Sequence, residues 1–199
     1  MIAGLLLAAG RSTRFGGDKL LALLRGQPVI FWSAAALASS VDALYVVLPA
    51  GDVARKAALT SLSATIVEHA RHDEGMGSSI GAGVAALPEA VDAVVIVLAD
   101  QPLVSRKVIR AVCERWREGG AAAVVPRYRD GRGHPVLFGR PTFEALSTLR
   151  GNRGARAVLT GLTGRGDGLA VIEVDDAMPI DVDTPHALRA LVAVWRDEG

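Results

Sequence analysis

Short apolar runs alternate with stretches whose apolar positions recur at helical spacing, from the first residues to about residue 125. Ile2 to Leu7, Ala43 to Leu48, Ala64 to Val67, Ala93 to Leu98 and Ala121 to Val125 predict successive buried strands. Helices are predicted between them. Pro28 opens one that runs to about Ser40, Asp52 caps a second through about Ser61, and Ser78 or Ser79 caps a third that ends before Pro88. Ser105 caps the clearest, which stops at Gly119 and carries Val108, Ile109, Val112 and Trp116 on one face.

After Val125 the alternation breaks. Arg127 to Gly133 is a polar loop, His134 to Phe138 a strand, Pro141 the start of a helix, and Gly151 to Arg156 a Gly- and Arg-rich turn. Leu169 to Val174 and Ile180 to Val182 predict strands before a last helix from about Pro185 to Arg196. With no long linker, repeat or low-complexity tract, the expected fold is one α/β domain. It is a three-layer α/β/α arrangement around a mostly parallel, mixed sheet, with a regular half of about 1–120 and an elaborated half of about 121–199.

Composition narrows the function classes. The 199 residues are 50% apolar and 22% charged, which is globular, and the net charge of +1 offers no basic field for nucleic acid. No apolar run reaches the roughly 20 residues that span a bilayer, and the first strand lacks the basic flank of a signal peptide. The chain is expected in the cytoplasm, binding neither nucleic acid nor membrane. Cys113 is the single cysteine, so intramolecular disulfides and Cys-based zinc sites are excluded, and a buried, inert thiol is expected.

The candidate chemistry begins where the first strand runs into Leu7-Ala8-Ala9-Gly10-Arg11-Ser12-Thr13-Arg14-Phe15-Gly16-Gly17-Asp18-Lys19. Ligands of open α/β sheets collect beyond the carboxyl ends of strands. Small residues let backbone N–H groups approach phosphate oxygens, and Arg14 and Lys19 can neutralise their charge. A glycine-rich surface turn is the plainer alternative. A P-loop does not fit, because Asp18 separates Gly17 from Lys19 and Leu20 follows. Gly81 to Ala86 imitates a dinucleotide fingerprint but lies inside a helix, where close packing explains its glycines.

A second hydrophobic strand, Val94 to Leu98, delivers Asp100 at its carboxyl end, a place suited to Mg²⁺. Another carboxylate can come from Asp181 or Asp183, two residues apart on one side of an extended segment, although an aspartate before Thr184-Pro185 can instead cap the last helix. His69 and His72 read as surface residues, and Trp32, Trp116 and Trp195 as packing residues on helices.

The loop from Leu7 to Lys19 resembles the signature of the nucleotidyltransferase superfamily with a glycosyltransferase-A-like fold. Glu74 to Ser79, Leu98 to Pro102, Gly131 to Phe138 and Asp181 to Pro185 follow in the same order. Together they resemble the molybdenum cofactor cytidylyltransferase family over nearly the whole chain. Three positions depart from that pattern: Phe15 stands where Met is usual, Leu23-Leu24-Arg25 lacks a proline, and Asn152 stands where an aspartate is usual.

The resemblance implies a Mg²⁺-dependent transfer of CMP from CTP to the phosphate of a molybdenum-pterin cofactor. In that role Leu7, Ala8, Ala9, Gly10, Arg14, Lys19 and Ser79 would bind the nucleotide. Arg14, Lys19 and Asp100 would act at the reacting phosphates, and Asp100 and Asp183 would hold the metal. Arg132 and His134 would meet the acceptor in the second half of the chain. Ala8 and Ala9, where related guanylyltransferases tend to have glycines, are expected to narrow the base slot in favour of a pyrimidine. The product could pass to a molybdenum hydroxylase by transient contact. Guanylyl transfer, another phosphorylated acceptor, or a cofactor-carrying chaperone are the alternatives, and the presence of Lys19, Asp100 and Asp183 favours an enzyme.

Overall fold

The computed structural model describes residues 1–10, 15–152, 154–163 and 168–195. In chain order the elements are β1 (Ile2–Leu7), a hairpin of β2 (Leu23–Leu24) and β3 (Gln27–Pro28), α1 (Val29–Ala38), β4 (Ala43–Pro49), α2 (Val53–Ala57), β5 (Ala64–His69) and α3 (Met76–Ala85). There follow β6 (Ala93–Leu98), α4 (Arg106–Arg117), β7 (Ala123–Tyr128), β8 (Gly131–Arg132), β9 (Val136–Gly139), α5 (Phe143–Ser147), α6 (Arg156–Thr163), β10 (Leu169–Glu173) and α7 (Pro185–Val194).

The main sheet runs β10-β7-β9-β6-β1-β4-β5, with β8 paired to β7. β6, β1, β4 and β5 are mutually parallel, β10 is parallel to β7, and β9 runs antiparallel to both β6 and β7. This is the mixed, mostly parallel sheet of a three-layer α/β fold. Period-two alternation sends successive side chains to opposite faces. Leu6, Val46, Val95 and Val97 pack with Ile30 and Leu37 of α1, Ile109 and Val112 of α4, and Leu191 of α7. Leu5, Leu7, Val94, Ile96 and Phe138 pack with Ile80 and Val84 of α3 and Leu146 of α5 on the other face. Phe138 is fully buried on β9, and truncating it to Ala would cost about 3–5 kcal/mol.

Helix ends follow local hydrogen bonding. Asp52 caps α2 by accepting from Arg55 N at 3.0 Å. The helix stops at Ala57 rather than near Ser61, because Leu59 N and Thr60 N bond three residues back and the Thr60 hydroxyl also takes the Ala57 carbonyl. The third helix begins at Met76, earlier than expected, with Gly75 as its cap at φ 105° and the Ser78 hydroxyl donating to Gly75 O at 2.8 Å. The expected close packing of its glycines holds: a Cβ at Gly83 would stand 2.6 Å from Leu5 Cδ1, and one at Gly81 would stand 3.0 Å from Ser147 O.

Two features differ from the sequence pattern. α6 is a helix not anticipated after the Gly-Arg turn, and it forms because Val158, Leu159 and Leu162 share a face that packs against the second core cluster. Conversely, Ile180–Val182 is not a strand. Val182 N donates to Asp100 O at 2.8 Å, but Asp183 N then donates to Asp181 O at 3.1 Å, closing a three-residue turn about Val182. α7 opens with Pro185, and its cap is Thr184, whose side chain accepts from Ala187 N at 3.1 Å, so the capping role does not fall to Asp183. The expected helix end at Arg196 lies outside the described residues. Among the described residues no helix is long and apolar enough to cross a membrane.

Candidate active site

The site lies where β1 and β6, adjacent and in register at Leu7 and Leu98, reach their carboxyl ends. Ala99 N donates to Leu7 O at 3.1 Å and keeps the two strands together for one more residue. Asp100 follows directly, and its carbonyl accepts the Val182 N–H, which brings the turn of residues 181–183 to the same edge. From the opposite side, buried Leu20 anchors the return of the loop and leaves Lys19 beside it. Lys19 Nζ stands 2.6 Å from Asp100 Oδ2 and 2.8 Å from Asp183 Oδ1. Burial alone would lower the Lys19 pKa, but hydrogen bonds and charge from Asp100 and Asp183 outweigh it and hold the ammonium above its usual value.

The two candidate carboxylates of the C-terminal segment part company. Asp183 joins Asp100 on Lys19, whereas Asp181 Oδ1 accepts from Gln101 Nε2 at 2.8 Å. Burial pushes the Asp181 carboxyl up, helped by the charges of Asp100 and Asp183 and opposed by the Gln101 bond and Lys19. Among the described residues no three His, Cys, Asp or Glu side chains are grouped to hold a metal by themselves. The Asp100–Asp183 pair nevertheless fits Mg²⁺, which takes one or two carboxylates and completes its shell with phosphate oxygens and water.

His134 stands in the loop between β8 and β9, its Nδ1 3.2 Å from Ile96 O and its carbonyl accepting from the Tyr128 hydroxyl at 2.7 Å. A carbonyl only accepts, so Nδ1 carries the proton. Burial lowers the pKa of this imidazole, with the Ile96 bond and the charges of Asp181 and Asp100 opposing. Arg132 is exposed on β8. Ser79 is buried in α3, near a start that packs on the turn of residues 151–152. There Gly77 N donates to Gly151 O at 2.8 Å, and a Cβ on Gly75 would fall 2.2 Å from Asn152 Oδ1. Arg14 lies outside the described residues.

The steric reading of Ala8 and Ala9 is corrected. Both are almost fully buried, Ala8 in the first core cluster and Ala9 in the second, because they continue the alternation of β1. Their methyls therefore fill the core rather than a base slot. The backbone of Ala8 is also committed, its N–H to Val47 O and its carbonyl to Arg55. Gly10 is exposed, with open space where a Cβ would be. His69 is likewise not a surface residue: as the last residue of β5 it turns onto α3, with Nε2 3.0 Å from Ser78 Oγ. It lines a cavity of about 200 Å³ with Arg71, Ser78 and Arg150, which neither Lys19 nor the Asp100–Asp183 pair touches. The three tryptophans do pack against the first core cluster.

Residues 4–171 match the MobA-like NTP transferase domain. The chain belongs to that family. It is 32% identical over 200 residues to the purine catabolism protein PucB of Bacillus subtilis, with 93% of each chain covered. It is also 32% identical over 135 residues to a probable molybdenum cofactor guanylyltransferase of Thermococcus kodakarensis, covering 67% of this chain and 63% of the relative. The crystal structure of Rv0371c from Mycobacterium tuberculosis superposes with a TM-score of 0.82 at 29% identity, covering 96% of this chain and 97% of that one. Its complex with manganese gives 0.78 at 28%, covering 98% and 99%. The chain is thus a nucleotidyltransferase.

The motifs named in the sequence do not reveal what holds their residues in place. Arg55 of α2, Asp18 in the loop and Gln101 after Asp100 all escaped the sequence reading. Gln101 is buried with its Oε1 lacking a hydrogen-bond partner among the described residues. Asp52 marked a helix start in the sequence but gave no hint that Arg55 reaches Asp18 and Ala8, 37 and 47 residues away.

Proposed function

We propose that this enzyme transfers CMP from CTP to the phosphate of a molybdenum-pterin cofactor, releasing pyrophosphate and giving the cytosine dinucleotide form of the cofactor. The observation that carries the reading is the ammonium of Lys19 shared between Asp100 and Asp183 at the carboxyl ends of the two central strands. A pair of carboxylates and a cationic donor at one point is the equipment that nucleotidyl transfer needs, because this chemistry rests on positioning and charge neutralisation rather than on a protein nucleophile. Asp100 and Asp183 would hold Mg²⁺, which when bound supplies charge neutralisation at the α-phosphate. Lys19 and Arg14 bind the triphosphate in this reading, and Lys19 takes up the charge that develops on the departing pyrophosphate. Gly10 offers its exposed backbone to the nucleotide, and Ser79 is a further nucleotide-binding residue in this reading.

An oxygen of the acceptor phosphate forms the new bond to the α-phosphorus as the bond to the β-bridging oxygen breaks. In this reading His134 and Arg132 meet the acceptor, in the half of the chain from about residue 121 onward. The choice of cytosine rests on the Glu74–Ser79 and Gly131–Phe138 segments, which are the more specific parts of the motif set. The competing reading is guanylyl transfer to the same cofactor, favoured by the name carried by the Thermococcus relative. Incubation with Mg²⁺, CTP and purified cofactor, followed by pyrophosphate detection and mass spectrometry of the product, tests the proposal. A cofactor mass increased by one CMP is expected. A GMP adduct formed only with GTP would transfer the assignment to the competing reading.

A further inference from the structure

Arg55 is 6% exposed and contacts Ala8 and Gly10 where the chain leaves β1 and Asp18 where it returns. Its Nη1 donates to Ala8 O at 2.6 Å and its Nη2 reaches Gly10 O at 3.4 Å, where the loop leaves the strand. Its Nε and Nη2 meet Asp18 Oδ2 and Oδ1 at 2.9 and 3.1 Å, where the loop returns. This fork-to-fork pairing is the most direction-specific contact a guanidinium makes. Asp52, the cap of α2, stands 3.3 Å from Nε and holds the stem side. Asp18 in turn fixes the chain beyond it: its Oδ1 accepts Leu20 N at 3.0 Å and its carbonyl accepts Leu21 N at 3.2 Å. Lys19 lies inside that turn. One buried guanidinium therefore holds both the departure of the loop and the turn that carries Lys19.

We infer that Arg55 is a positioning residue for nucleotidyl transfer, aiming Lys19 at the reacting phosphates through Asp18 and tying the loop's two ends together. The inference rests on the reading that this loop and Lys19 serve the triphosphate. The short helix α2 then exists to deliver one side chain, and Lys cannot replace it, since a single ammonium cannot span two carbonyls and a carboxylate at once.

The test uses Arg55→Lys, Arg55→Met, Asp18→Asn and Lys19→Ala in the full chain, assayed with Mg²⁺, CTP and the pterin acceptor well below each variant's melting temperature. Amide hydrogen exchange at Leu20 and Leu21 is followed alongside. Misplacing a reacting group by about 1 Å can cost roughly a hundredfold, so kcat should fall by that order in Arg55→Lys and Arg55→Met with a smaller change in KM for CTP. Leu20 and Leu21 should exchange faster while core strand amides do not. Adding Lys19→Ala to Arg55→Lys should cost far less than Lys19→Ala costs alone. If the Met variant does not fold, Arg55→Lys and Asp18→Asn carry the same readouts. Unchanged exchange at Leu20 and Leu21, or fully additive losses with Lys19→Ala, would overturn the inference. Full activity in Lys19→Ala alone would instead refute the reading of the loop, while the exchange result still decides what Arg55 holds.

Discussion

Lys19 Nζ lies 2.6 Å from Asp100 Oδ2, joining a residue of the first loop to one 81 positions later at the end of β6. The contact is created by the adjacency of two parallel strands, and it places a cation where substrate phosphates are expected. Replacing Asp100 by Asn keeps the shape but removes the charge that would anchor Mg²⁺. Transfer should fall on the order of a hundredfold or more, a loss of the size seen when oriented electrostatic groups are removed. Asp183→Asn should behave similarly, and Asp181→Asn more mildly, because Asp181 is engaged with Gln101 instead. Turnover across a Mg²⁺ titration checks this. A larger loss at Asp181 than at Asp183 would exchange their roles.

Lys19→Ala should lower kcat more than it raises KM for the nucleotide, by about 2.7–4 kcal/mol in transition-state stabilisation. Because the Lys19 pKa is raised, the ammonium stays charged throughout the neutral range. Its contribution to stability is complete below its unfolded pKa of about 10.4 and is lost only as pH climbs through the higher folded value. The alkaline loss of stability that disappears in Lys19→Ala, measured without Mg²⁺, should therefore lie above about pH 10. A Lys19-dependent loss near neutrality would contradict the assignment.

His134→Ala should weaken use of the pterin acceptor while sparing CTP binding measured by calorimetry. The imidazole pKa is lowered by burial, so the neutral form with Nδ1–H on Ile96 O prevails at neutral pH. The folded state binds fewer protons than the unfolded one at this group, so the stability it contributes is present above about pH 6.5 and fades as acid titrates the folded ring. The wild type should thus lose more stability than His134→Gln between pH 7 and pH 5. Equal damage to acceptor use and CTP binding would move His134 to the nucleotide side.

Cys113 is buried in α4, and burial raises its thiol to about 11. Native protein should resist iodoacetamide at pH 8 and react once unfolded. Stability should decline as pH rises from about 9 toward 11, because the unfolded thiol ionises first. Rapid alkylation of the folded protein would show that the helix opens.

Much of this arrangement was legible in the chain because it is local. The β1 and β6 runs, the Ser105-to-Gly119 helix and the loop after Leu7 announce themselves by period, cap and composition. Lys19 lies in the loop after β1 and Asp100 just past β6, neighbouring parallel strands whose carboxyl ends meet, whereas Asp183 was singled out by the resemblance and sits after a turn, not at a strand end. Arg55 was not legible, because its partners Asp18 and Ala8 lie 37 and 47 residues away and a single arginine on a five-residue helix carries no periodic signal. The alanines were misread for a different reason: treated as loop residues, they in fact extend the strand's alternation into both cores. Ala8→Gly or Ala9→Gly should accordingly cost about 1–2 kcal/mol of stability, from a lost buried methyl and added backbone freedom, without relaxing base choice. Urea denaturation with a parallel nucleotide panel would settle whether packing or base selection is affected.

The identity of the transferred nucleotide is the central claim, and the specificity constants for CTP, GTP and ATP with one preparation of molybdenum-pterin cofactor test it most directly. The choice of cytosine rests on the Glu74–Ser79 and Gly131–Phe138 segments, and because a buried polar group left unpaired on the wrong base is costly, CTP should exceed GTP by well over about tenfold, with ATP also poor. A specificity constant for GTP equal to or above that for CTP would contradict the cytidylyl assignment.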